Sequence, residues 1–219
     1  MPLSARKVER TALVDQVYEI LKERILDRFY EPGAKLNIDA LGRELKVSST
    51  PLREALARLT AESLVKAEPF VGFAVAAMPD SKYYRDLFDF RLVIEPWAAA
   101  ESARLRSAQT LPTLEAAVRA MGGSSLSLSY RRFRDFSDAD DLFHRTIMTG
   151  TGNAPACKAY EDLRIHLHMS RLYIHREQDT ESTRAQHLAI LEAIRSGHAE
   201  EAAQHMRDHL ILSRKKLLD

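Results

Sequence analysis

Residues Leu36–Val65 read LNIDALGRELKVSSTPLREALARLTAESLV. Ile38, Leu41 and Leu45 recur at helical spacing, and Asn37 stands where an N-cap is needed. Lys46-Val47-Ser48 is a turn, Ser49 or Thr50 can cap the next helix, and Pro51 is tolerated in a first turn because its missing N–H had no partner there. Leu52, Ala55, Leu56 and Leu59 then form one apolar stripe, from which Arg53 and Arg58 turn away. Helix, tight turn, helix and strand in this order predict a winged helix-turn-helix. A short helix with a small polar start, an outward arginine and an apolar back has the form that enters a major groove.

Working outward, Val8 to Tyr30 reads as a first helix with Leu13, Val17, Ile20, Leu21, Ile25 and Leu26 inward, broken by Pro32-Gly33. Leu64–Glu68 and Phe73–Ala77 read as two short strands about a turn at Gly72, the wing, and Met78-Pro79-Asp80 closes the unit. From Ser81 on there is no strand pattern. Helices are expected near 82–105, 110–121, 130–150, 155–175, 181–196 and 199–217, with Pro96 kinking the first. The expected fold is mainly α: a winged helix-turn-helix over residues 1–78 and an all-α bundle of six or so helices over 79–219.

Composition sets limits. The 219 residues are 45% hydrophobic and 29% charged, as in ordinary globular proteins. No apolar run approaches the ~18 residues of a membrane span, and the basic N-terminus lacks the apolar core of a signal peptide, so no membrane partner and a cytoplasmic location are expected. The single cysteine, Cys157, excludes an internal disulfide or a Cys-rich zinc site. Net charge is +1, and residues 1–76 carry 12 Lys/Arg against 11 Asp/Glu. A DNA-reading function would therefore owe its electrostatics to the placement of charges or to two copies acting together.

All eight histidines lie between positions 144 and 209. Asp140 and His144 are four apart on one helix and share a face with Ile147. His187 shares a stripe with Ile190, Leu191 and Ile194, and His209 follows Ala202 and Met206. Three helices thus turn a metal-competent group inward, and buried groups of this kind need partners. One carboxylate and three imidazoles suit a divalent transition metal: zinc first, with nickel, manganese and iron compatible. The alternative is a set of separately satisfied core histidines. His198 and His205 fall on a polar face, His168 and His175 sit among arginines as on a surface, and His166 could line a cavity. Arg91 lies on the stripe Leu87, Arg91, Ile94, Ala98, where a guanidinium needs either an internal ion pair, for instance with Glu95, or a ligand carboxylate.

The run VSSTPLREALARLTAESLV, with its Pro32-Gly33 lead-in, resembles the signature of the GntR family of transcriptional regulators. The elements Asp140-x-x-Phe143-His144, Gln186-His187-Leu188-x-Ile190-Leu191-x-Ala193-Ile194 and Met206-x-x-His209-Leu210 resemble the ligand-binding (FCD-type) domain of its FadR subfamily. The resemblance implies a homodimer on a roughly palindromic DNA operator, with repression relieved by ligand as the default. It implies Arg53 as the key base contact, with Ser48, Ser49, Thr50, Arg43 and Gly72 also at the DNA. It further implies a metal on Asp140, His144, His187 and His209, and a small carboxylic acid beside it held by Arg91; His166, read from its own neighbours, is the second candidate to meet that acid. Ser49 and Val71 stand where many members carry Arg, or Arg or His. A metal sensor, a structural metal and a metal-dependent hydrolase are the competing readings.

Overall fold

A computed structural model describes residues 3–122, 130–173 and 179–218. They divide into two compact units, Met1–Met78 and Pro79–Asp219. In the first, α1 (Leu3–Leu26) precedes β1 (Lys35–Leu36), α2 (Ile38–Leu45), α3 (Ser49–Ala61), β2 (Val65–Glu68) and β3 (Gly72–Val75). The three strands form an antiparallel sheet in the order β1-β3-β2, with Leu36 opposite Phe73 and Val65 opposite Val75. β1 was not legible as a strand, because two residues carry no period.

Burial explains the arrangement. Leu52, Ala55, Leu56 and Leu59 of α3 are fully buried, as the stripe required, and close on Val17, Leu21 and Ile25 of α1 and Leu41 of α2. Two residues expected inward on α1, Leu13 and Ile20, are exposed; Val14 and Tyr18 are buried in their stead. Tyr18 donates from its hydroxyl to Glu62 at 2.7 Å, tying α1 to the end of α3. Asn37 caps α2 by accepting from the Ala40 N–H at 2.9 Å. The N-cap of α3 is Ser48, one residue earlier than expected, and its side chain makes no capping hydrogen bond.

The second unit is all-α among the described residues: α4 (Ser81–Leu105), α5 (Leu111–Ala120), α6 (Tyr130–Gly150), α7 (Ala154–Asp162), α8 (Ile165–Tyr173), α9 (Thr180–Ser196) and α10 (Ala199–Leu218). The single helix expected over 155–175 is two, separated at Arg164, whose φ of 47° breaks the helical path. α4 runs through Pro96 without ending, and α10 packs along it. Phe88, Phe143, Ile147, Ile190, Ile194, Met206 and Leu210 fill the core. α6 crosses α4 at Gly150, where an added Cβ would come 2.6 Å from Ser102 Oγ. Gly123 with the serines that follow, and His175, lie outside the described residues.

Candidate metal centre and DNA-reading face

His144 on α6, His187 on α9 and His209 on α10 meet inside the second unit. All three are buried, and one ring nitrogen from each lies within 4.8 Å of the others. The hydrophobic faces that carry them explain the convergence. Each imidazole takes one position on a stripe otherwise filled by core residues, so burying the stripe buries the ring.

Each ring is oriented through Nδ1. His187 Nδ1 donates to the main-chain carbonyl of Thr183 at 2.8 Å. His209 Nδ1 lies 2.9 Å from Gln186 Oε1. His144 Nδ1 lies 2.7 Å from Glu95 Oε2, facing the carboxylate without in-line hydrogen-bond geometry. With every Nδ1 facing an acceptor, the Nε2 atoms are left as bare lone pairs. His144 Nε2 and His187 Nε2 are nevertheless only 3.2 Å apart. Two lone pairs at that distance repel unless a proton or cation sits between them. A proton is disfavoured: burial pulls His187 down to about 4 against the help of Asp140, and burial followed by the neighbouring His187 holds His209 well below the ordinary range. Two nitrogens ~2.0–2.1 Å from one ion stand about 3–3.4 Å apart, so the donor set fits a divalent transition metal.

Asp140 sits at the edge of this group. Its Oδ1 is 3.3 Å from His187 Nε2 and 3.9 Å from His144 Nε2, and its side chain keeps 27% of its exposure. The tight cluster is therefore the three histidines, with the carboxylate beside two of them.

Around the cluster runs a buried polar chain. Arg91 donates from Nε to Glu95 Oε1 at 2.6 Å, and the Tyr160 hydroxyl donates to the same oxygen at 3.1 Å. Burial would raise Glu95, but Arg91 and His144 outweigh it and bring it to about 2. Arg91 is thus held in an internal ion pair, one of the two roles expected for it. It also lines a cavity of about 20 Å³ with Phe136, Asp140, His166, Met169 and His209. That is room for a water or an ion, not for an organic acid. His166 stands on this cavity wall with Nδ1 3.3 Å from Asp141 Oδ1. Burial, then Asp140, raises Asp141 to about 6 even against Arg145.

The remaining histidines divide. His198 and His205 are exposed, as their polar face required. His168 is not on an open surface: its ring packs on Tyr83, and burial, then Arg171, lowers it to about 4. The links through Glu95, Thr183 and Gln186 were missed. The available signal was Glu95 recurring four residues after Arg91 on a buried face.

In the first unit, Arg43, Ser48, Ser49, Thr50, Arg53 and Gly72 are all exposed. Gly72 adopts φ 107°, which few other residues tolerate. The two outward arginines of α3 have different fates. Arg58 bonds Asp15 at 2.6 Å and lies over the Tyr18 ring at 4.1 Å, so it serves the α1–α3 contact. Arg53 has no ion pair among the described residues.

Comparison with known proteins agrees with the two-unit fold. The family model of the bacterial regulatory proteins, gntR family, matches residues 13–75, and that of the FCD domain matches residues 86–212. An uncharacterized HTH-type transcriptional regulator in an unstable DNA locus of Streptomyces ambofaciens is 28% identical over 89% of this chain and 80% of its own length. The gluconate operon transcriptional repressor of Bacillus licheniformis is 28% identical over 66% of this chain and 57% of its own. The HTH-type transcriptional repressor GlaR of Escherichia coli is 26% identical over 89% of this chain and 90% of its own. Among solved structures, a GntR regulator from Rhodococcus superposes with a TM-score of 0.68 at 22% identity, covering 94% of this chain and 97% of that one. The E. coli protein McbR/YncC gives 0.63 at 20%, covering 91% and 94%. At such identities the structures speak for the fold alone.

Proposed function

The chain belongs to the bacterial GntR family of transcriptional regulators, with an FCD domain as its second unit, and from that premise we propose how it works. It is a regulator and not an enzyme, so the hydrolase alternative falls. The first unit reads a roughly palindromic operator as one half of a homodimer. Arg53 makes the leading base contact from α3, Arg43 and the hydroxyls of Ser48, Ser49 and Thr50 meet phosphates and base edges at the helix start, and Gly72 lets the wing backbone close on the duplex. The N-cap supports this, since the Ser48 side chain makes no hydrogen bond to the first N–H groups of α3.

The second unit holds a divalent transition metal on His144, His187 and His209, with Asp140 as carboxylate partner. The observation that carries this reading is the 3.2 Å approach of two imidazole Nε2 atoms whose Nδ1 atoms are already engaged. Zinc is the first ion to test; nickel, manganese and iron suit the same donors. When bound, the ion supplies a Lewis-acidic anchor for a carboxylate.

A small carboxylic acid is the proposed effector, with Arg91 and His166 on the wall it would face. The cavity of about 20 Å³ is too small for it. Phe136, His166 and Met169 must move apart to admit it, and this movement is where differential affinity for two arrangements arises. Ligand can shift operator affinity by no more than that difference, typically ~1–3 kcal/mol. The same cavity size favours a second reading in which the ion itself is the signal.

Thermal melting of zinc-loaded protein against mono-, di- and tricarboxylic acids decides between them. An acid at about 100 times its Kd adds roughly 2.7 kcal/mol, and the gain should vanish in His187→Ala. If no acid stabilises the protein, while affinity for DNA selected from a random pool follows free zinc, the metal-sensor reading replaces the acid.

A further inference from the structure

The turn between β2 and β3 reads Pro69-Phe70-Val71. Phe70 is 110% exposed, more open than in an extended chain, and Val71 beside it is 59% exposed. Phe70 also holds φ 62°, in the left-handed region that bulky side chains avoid. The turn is closed by the Val71 N–H bonding to the Glu68 carbonyl at 3.2 Å. An aromatic residue that is strained and buries nothing adds no stability to the chain it belongs to. Such an outlier points to a function outside the fold.

The charge pattern narrows the partner's contact. A cation inserted in the minor groove is one way for a wing to read DNA. Here Lys66, the nearest cation along the hairpin, stands back from the tip and pairs with Glu68 at 2.7 Å on the surface, while Pro69-Phe70-Val71 carry no charge. The tip offers only apolar surface. β2 packs directly on α3, so whatever duplex α3 docks on, the tip is carried to that same duplex. Apolar side chains that bind a duplex do so as wedges, entering the minor groove and partly unstacking a base step.

We propose that Phe70 is such a wedge: it enters the minor groove beside the half-site read by α3, unstacks one step and bends the operator there. The specificity it contributes favours flexible pyrimidine–purine steps at a position that no hydrogen bond reads. This deepens the reading of the first unit as a DNA reader and rests on it.

The test uses the full-length chain and duplexes selected by the wild type from a random pool, with 2-aminopurine placed at successive flanking steps. Wild type should raise 2-aminopurine fluorescence at one step on each side of the dyad. Phe70→Ala should abolish that rise and weaken binding about tenfold, in the range of lost base–aromatic contacts. The slope of log Kd against log salt should stay the same, because no phosphate contact is lost. Phe70→Trp should keep the signal. Phe70→Gly should raise the melting temperature by relieving the backbone while losing DNA as Phe70→Ala does, which separates the wedge from folding. Wild-type affinity in Phe70→Ala, together with loss of binding in Arg53→Ala, overturns the wedge and leaves the DNA reading standing. If the wild type retains no duplex from the pool, the DNA reading fails and the wedge with it. A changed oligomeric state in Phe70→Ala with unchanged affinity makes the tip a protein contact and also overturns the proposal.

Discussion

His187 is fully buried, bonded to the Thr183 carbonyl and pulled down to about 4 by burial. His209 is also depressed, and His168 falls to about 4. Unfolded, each ring titrates near 6.5. Between that value and about 4 the unfolded chain takes up protons that the folded chain refuses. Stability of the metal-free protein is therefore full above pH 6.5 and falls as the pH drops through this window, by up to about 1.4 kcal/mol per pH unit for each fully buried ring and by less for the part-exposed His168. Urea midpoints measured from pH 7.5 down to 4.5 should trace this loss; a flat profile would contradict the buried neutral rings. Glu95 gives a second check. Glu95→Gln keeps the volume but weakens the hold on His144, and metal affinity read by chelator competition should fall about 10–100-fold. Glu95→Ala additionally leaves Arg91 buried without its carboxylate, a loss of about 3–5 kcal/mol in chemical denaturation. The histidines themselves could be read from i, i+4 spacing on apolar stripes. Glu95 could be singled out four residues after Arg91, but that it reaches His144 from another helix, and which oxygen each ring meets, depends on packing.

Helices raise a different set of expectations. The stripe of α3 was legible because its period is strong, yet it left Arg53 and Arg58 equivalent. The resemblance chose Arg53, and the placement of α1 supplies the physical difference by setting Asp15 and Tyr18 against Arg58. Arg53→Ala should abolish specific DNA binding with melting unchanged, whereas Arg58→Ala should lower stability by about 1 kcal/mol and leave base selectivity intact. Fluorescence anisotropy and melting curves on both variants would show a reversal if the roles were exchanged. At the α4–α6 crossing, Ser102 Oγ is buried without a hydrogen bond and presses on Gly150. Ser102→Ala should be neutral or stabilising by about 1–2 kcal/mol. Gly150→Ala should cost stability in the wild type and recover in that background, a coupling that a double-mutant cycle reads directly. The break at Arg164 escaped notice because a left-handed residue without Gly or Pro leaves no mark in composition.

The two units each have a core of their own, and the metal-competent cluster lies wholly in Pro79–Asp219. Zinc should therefore raise the melting of one calorimetric transition and leave a second, from the first unit, where it was. At about 100 times its Kd, the shift should be roughly 5–10 °C. A single transition moved as a whole by zinc would mean that the units fold as one. Sequence by itself determined the winged helix-turn-helix, the all-helical second part and the three inward histidines. These depend on the period of apolar residues, and a period is a local property of the chain. Tertiary structure decided that Arg58 is held by Asp15 while Arg53 has no ion pair among the described residues, which acceptors orient the imidazoles, that Asp140 stands at the rim, and that the cavity beside Arg91 measures only about 20 Å³. Each of these depends on distances between atoms far apart in sequence, which packing sets and periodicity does not encode.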